Sequence, residues 1–259
     1  MLAYFAIGLV VISLFLYALL FMIECGATVL IASPRLSDGR DDGVYAYIGP
    51  VWETTNVFLI FALVSFIAFF PGAVPIWGSA LAVPFLLFLA VTGVRVVFML
   101  YVFYHRAASR AIRVLLAVFA LAAPAVFAGA IVPFFLTGEM PYGSAAWLLA
   151  AVLAAFTLAA TLLISSSFFS YLETRRRGSI ETKAAGWRFV RAVLVFAIPF
   201  FGMAFAQLPY IVYPSAALTG SFANPAAARV LFAAFAAGFI LVMPSLMWLF
   251  RLSIGKRRQ

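Results

Sequence analysis

Glu24, Glu53 and Arg95 stand inside long apolar runs of this 259-residue chain. A charged side chain near the middle of a membrane-crossing helix costs about 2.5–3.5 kcal/mol on insertion scales, so its presence calls for a partner or a task. Glu53 poses the question most sharply. It lies in Gly49-Pro50-Val51-Trp52-Glu53-Thr54-Thr55-Asn56-Val57-Phe58-Leu59-Ile60, which runs on through apolar residues to Phe70. From the helical rise, Glu24 is roughly 16 Å along its run from Arg35, Glu53 roughly 9 Å from Tyr47, and Arg95 roughly 15 Å from His105. The three groups therefore fall at comparable depth on three consecutive segments. Two acids sharing one arginine can hold a proton between them and pass it on, which suits a relay or an ion path. The same charges, neutralising one another, would equally well fix helix packing. Both readings stand at this point.

Polar neighbours extend the pattern. Thr28 lies one turn from Glu24, Asn56 three residues from Glu53, and Thr92 three residues from Arg95. Such spacings place each pair on one helix face, so a hydrogen-bonded seam is geometrically allowed. Thr and Asn also serve simply to glue helices together.

Other chemistries find little support. The lone histidine, His105, sits where the third run ends, beside Arg106, and has no second His to complete an axial pair. Met22, Met99, Met203 and Met243 read as packing residues. Ser165, Ser166 and Ser167 have no His near them in sequence to act as a base. The single cysteine, Cys25, excludes an internal disulfide framework and any multi-cysteine metal or iron–sulfur site. Gly-rich phosphate loops are absent from the sequence.

These residues need elements to hold them, and the composition says which. The chain is 67% hydrophobic and 10% charged, with mean hydropathy +1.16, against about 45–50% and 25% for a soluble domain. It reads as an all-α, polytopic membrane helical bundle forming a single transmembrane domain over 1–259. Seven stretches reach the ~20 apolar residues that a crossing requires: 2–32, 48–70, 74–104, 112–136, 145–171, 189–213 and 227–250. The N-terminus lacks the basic region of a cleaved leader.

Basic residues set the expected orientation. Of 17 Lys and Arg, all but Arg95 and Arg229 fall in the first, third and fifth loops, at their edges, or in the tail. Positive loops face the cytoplasm, so the N-terminus is expected outside and the C-terminus inside. The net charge of +9 is thereby a topology signal, not a footprint for nucleic acid, which is excluded as a partner. The triple arginine at 175–177 is expected to meet anionic lipid headgroups. The apolar faces, with 29 Phe in the chain, offer a surface for a bound quinone or lipid.

The stretch around Glu53, with Ala68-Phe69-Phe70-Pro71 after it, resembles the second helix of subunit II of cytochrome bd-type quinol oxidases. There the family reads Gly-Pro-Val-Trp, an acid, Gly-Asn-Glu-Val-Trp-Leu, and later Ala-Ala-Phe-Pro. Ile23-Glu24-Cys25-Gly26-Ala27-Thr28-Val29-Leu30 is similar to the family's first-helix Phe-Asp-Leu-Gly-Val-Gly-Met-Leu. The resemblance is carried by about the first 105 residues. It departs in places. Both family aspartates are Glu here, and Thr54-Thr55-Asn56 replaces Gly-Asn-Glu. The third helix keeps Gly93-Val94-Arg95-Val96-Val97-Phe98-Met99 without the family's acid. Seven spans are counted where the family usually has about eight, which marks a divergent, shortened member.

The resemblance implies a non-haem subunit of a terminal quinol oxidase in the plasma membrane of a prokaryote. The complex would oxidise quinol and reduce oxygen to water, with all haems held by a companion subunit I in a heterodimer. Glu53 takes the position of the acid on the family's proton route, Glu24 that of its first-helix aspartate, and Arg95 that of its third-helix arginine. With Asn56 and Thr28 they make up the expected proton pathway. Two other classes are carried alongside: a secondary transporter or ion channel using the Glu24/Glu53/Arg95 cluster, and a structural or assembly membrane protein. Seven spans divide poorly into inverted repeats, which weighs against the transporter.

Overall fold

In hydrocarbon every backbone N–H and C=O must be paired within its own segment or a closed sheet, so long apolar runs fold as helices. The computed structural model describes residues 1–32, 41–105, 109–133 and 144–255, with the side chains of 31–32, 41–53, 103, 130, 144–146, 176, 242–243, 246–247 and 249–255 outside that description. Among the described residues the helices are α1 (Leu2–Ala32), α2 (Asp41–Phe69), α3 (Val74–Tyr104), α4 (Arg110–Val126), α5 (Ser144–Arg176), α6 (Thr182–Ala206) and α7 (Pro225–Gly255). Five of them, α1 and α3 to α6, are long and apolar enough to cross a membrane. In α2 and α7 the described apolar stretches, Thr54–Phe69 and Pro225–Leu241, are shorter.

Helix α1 is the most buried of these five and the organising centre, packing against α2, α4, α5 and α6. Its close approach to α5 depends on Gly26: a Cβ there would overlap the Ser165 side chain and stand 3.2 Å from the Thr161 carbonyl. Along α5, Thr161 Oγ1 donates to the Thr157 carbonyl and Ser165 Oγ to the Thr161 carbonyl, each at 2.7 Å. The hydroxyls are thus spent on their own helix, and small side chains let the two helices close. Ser165 is a packing residue.

Pro124 lies inside α4, where its missing N–H disturbs the hydrogen-bond ladder. A π turn follows at Phe127–Ile131, a single-turn bulge within an otherwise α-helical segment. Gly129 in this turn approaches α5, where a Cβ would meet the Ala150 carbonyl at 3.4 Å.

The sixth helix differs from the sequence expectation of 189–213. It begins at Thr182 and ends at Ala206. Hydropathy undervalues its start because Lys183, Arg188 and Arg191 lie on an exposed face. At its far end the apolar run continues, but the chain turns into a short antiparallel hairpin, β1 (Tyr210–Val212) with β2 (Ala216–Ala217), the only β structure among the described residues. Pro209 and Pro214 flank β1, and proline cannot continue a helix. The segment after the hairpin packs on the α2–α3 corner: Gly72 N donates to the Ser221 carbonyl at 3.3 Å, and Ala223 N to the Phe69 carbonyl at 2.9 Å.

Candidate functional site: a buried acid–arginine pair

On α1, Tyr17, Phe21, Glu24, Cys25 and Thr28 recur at helical spacing and share one inward face; all five are buried. On α3, Phe88, Arg95, Met99 and Val102 form the matching buried line. Arg95 and Glu24 meet where these faces oppose. Arg95 Nη2 donates to Glu24 Oε1, and each side chain is 1% exposed. Arg95 Nη1 donates to Cys25 Sγ at 3.3 Å. The guanidinium carbon lies 5.3 Å from the centroid of the Phe21 ring, within cation–π range.

Because α3 packs mainly on α4 and its π turn, the long Arg95 side chain makes the connection to α1. The fork geometry of guanidinium lets one residue serve a carboxylate, a sulfur and a ring face together, which an ammonium does less well.

Aromatic rings wall this cation. Tyr17 and Phe21 stack at 5.3 Å, Phe21 meets Phe88 edge-on at 5.8 Å, and Phe88 meets Phe127 of the π turn at 5.4 Å. The sequence expectation missed Cys25, Phe21, Phe88 and Phe127 as members of the site. The signal for two of them was present: Phe21 precedes Cys25 by one turn, and Phe88 precedes Arg95 by two. Nothing in sequence placed Phe127 there, since that depends on how the π turn packs.

Three polar atoms in or beside the site are buried without a hydrogen-bond partner among the described residues: Glu24 Oε2, Arg95 Nε and Thr92 Oγ1. Among the described residues the pair is therefore only half satisfied. One carboxylate oxygen remains an open acceptor, and one guanidinium N–H an open donor.

The other expected site residues fall differently. Thr28 is fully buried, but its Oγ1 donates to the Glu24 backbone carbonyl at 2.8 Å, not to the carboxylate. Asn56 lies on the exposed face of α2 in line with Ile60, Val64 and Ile67, so it does not join the expected seam. The inward polar residues of that helix are its neighbours Thr54 and Thr55, in line with Phe58, Ala62 and Phe69. The Glu53 side chain lies outside the described residues.

His105 caps the C-terminus of α3, exposed and stacked on Tyr101 at 4.6 Å. Met22 and Met99 pack in separate apolar clusters. No group of three metal-ligating side chains occurs among the described residues.

Fold and site together define a polytopic α-helical membrane protein with a buried carboxylate–guanidinium pair linking its first and third helices. Residues 2–187 match the family described as cytochrome bd terminal oxidase subunit II, and the chain belongs to that family. The match continues well past the first 105 residues that carry recognisable motifs. A putative cytochrome bd menaquinol oxidase subunit II of Bacillus subtilis strain 168 is 29% identical over 101 residues, covering 38% of this chain and 29% of that relative's length. The structure of bd oxidase from Geobacillus thermodenitrificans superposes with a TM-score of 0.73 at 22% identity, over 97% of this chain and 98% of that one. That likeness establishes the shared fold.

Proposed function

We propose that this chain is the non-haem subunit of a prokaryotic plasma-membrane quinol oxidase that reduces oxygen to water. The observation that carries the reading is the family match over residues 2–187, which includes Glu24, Glu53 and Arg95. It favours the oxidase over the transporter, channel and assembly-protein readings. Haems bound by a companion subunit I would supply the electron transfer and oxygen chemistry. The basic loops face the cytoplasm.

The work of this chain is structural and protonic. Arg95 pins α3 to α1 through Glu24 and holds that carboxylate in one orientation, with Oε2 left as a buried acceptor. Glu53 of α2, the helix with the most extensive packing on α1, takes a proton from the cytoplasmic side, and Glu24 Oε2, a buried acceptor with no hydrogen-bond partner among the described residues, receives it in turn. An intramembrane acid with an open oxygen beside a fixed cation suits proton handover.

The test is purification of the gently solubilised complex from its native membrane. The expected result is a haem-bearing second membrane subunit in equal amount and quinol-dependent oxygen consumption. Material lacking both haem and a second membrane subunit overturns the oxidase reading.

A further inference from the structure

Helix α6 is the least buried of the membrane-spanning helices, and its two faces are chemically unlike. Ala185, Ala192 and Phe196 are buried. Phe189 stands 5.2 Å from Phe168 of α5, and Phe196 stands 6.0 Å from Phe15 of α1. On the opposite face Lys183, Trp187 and Arg191 follow one another at intervals of four, all exposed, with Trp187 at 65%. Residues four apart stand one above the other on a helix, so cation, indole and cation form a column about 12 Å long. Exposed Leu194 and Ile198 continue the line toward the membrane interior.

Two nearby arginines at the end of α5 have partners on that helix. Arg177 Nη2 donates to Glu173 Oε1 at 2.6 Å, and Arg175 Nη1 to the Tyr171 hydroxyl at 3.4 Å. Lys183, Arg188 and Arg191 make no ion pair or hydrogen bond among the described residues. The uncommitted positive charge at this end of the bundle therefore includes the first turns of α6.

We propose that this face of α6 binds the headgroup of an anionic phospholipid. The cationic part of the column lies toward the membrane surface and its apolar part toward the interior, as headgroup and acyl chain do. Lys183 and Arg191, with Arg188 beside them, meet the phosphate, Arg191 reaching outward along its own apolar stem. Trp187 sits at the interfacial level that indole favours. Leu194 and Ile198 lie along the acyl chain. A net negative headgroup matches three unpaired cations, whereas a zwitterionic one brings its own cation to the site. The proposal does not rest on the oxidase reading.

The test reconstitutes the purified complex in vesicles of phosphatidylglycerol and phosphatidylcholine, with a trace of one or the other carrying a photoactivatable headgroup. Labelling of the peptide spanning residues 182–191 is then read by mass spectrometry. The phosphatidylglycerol probe is expected to label it, and Lys183→Gln/Arg188→Gln/Arg191→Gln to lower that labelling by roughly tenfold. Arg175→Gln/Arg177→Gln is expected to keep it. If the triple variant does not accumulate, Arg191→Gln alone decides in the same way, by a clear partial loss. Equal labelling by both lipids, or labelling unchanged in the variants, overturns the proposal. So does cross-linking of a photoprobe on Trp187→Cys to another protein subunit instead of lipid, which would make this face a protein interface.

Discussion

Arg95 on α3 bonds Glu24 on α1 with both side chains withdrawn from the surface, so a single ion pair ties helices that have another helix between them in sequence. Removing one partner of a buried pair leaves an uncompensated charge and costs about 3–5 kcal/mol, whereas replacing both by apolar groups is often close to neutral. Arg95→Met is therefore expected to lower the melting temperature of the purified protein and its accumulation in the membrane sharply. Glu24→Leu/Arg95→Met should recover most of that loss. A double variant as unstable as Arg95→Met would show that the guanidinium's contacts with Cys25 and Phe21, and not the pairing of charges, hold the helices together.

The approach of α1 to α5 gives a second expectation. Since a Cβ on Gly26 would run into the Ser165 side chain, Gly26→Ala should destabilise by about 1–3 kcal/mol, the usual range for overpacking. Ser165→Gly removes both offending atoms, so Gly26→Ala/Ser165→Gly should regain stability that Gly26→Ala loses. Thermal melts of the single and paired variants would check this. Absence of any rescue would mean that the Thr161 carbonyl, 3.2 Å from the added carbon, is the contact that decides.

How much of this could be read beforehand differs from element to element. The bounds of α1 and α3 coincide with 2–32 and 74–104, because sharp hydropathy edges and helix ends fall together there. Glu24 and Arg95 were legible as members of one charged cluster with Glu53, because charge within an apolar run is costly and helical rise fixes depth. Asn56 shows the limit: its spacing from Glu53 was legible, but not that Asn56 itself lies on the exposed side of α2. Only the buried line of Thr55, Phe58, Ala62 and Phe69 reveals which side packs. The end of α6 was hidden because hydropathy sees apolar residues through Val212, while Pro209 and Pro214 impose a hairpin.

For the proton-supplying role, Glu53→Gln is the informative change, since it keeps shape and hydrogen bonding but cannot give up a proton. Oxygen consumption by the complex should fall by roughly an order of magnitude or more, as loss of a positioned proton-transfer group does elsewhere, with assembly and haem content retained. Undiminished turnover would remove Glu53 from any obligatory route. Failure of the complex to assemble would point to a packing role for the acid.

Orientation is tested independently of chemistry. Nearly all of the 17 basic residues lie in alternate loops, at the ends of the helices flanking them, or in the tail, so the positive-inside rule leads to the expectation that those ends face the cytoplasm and the N-terminus lies outside. On that expectation the outer surface would carry the hairpin formed by β1 and β2 and the corner it packs on, leaving Arg229 as the one basic residue on that side. A cytoplasm-active reporter fused after Gln259 should be active, and one requiring export should be silent there. Inserted after Ser221, close to the α2–α3 corner, the two reporters should behave the other way round. The same compartment reported at both positions would mean that α7 does not cross the membrane. A consistent reversal at both would turn the whole bundle over and place Glu53 near the outer surface, where it could not collect a cytoplasmic proton.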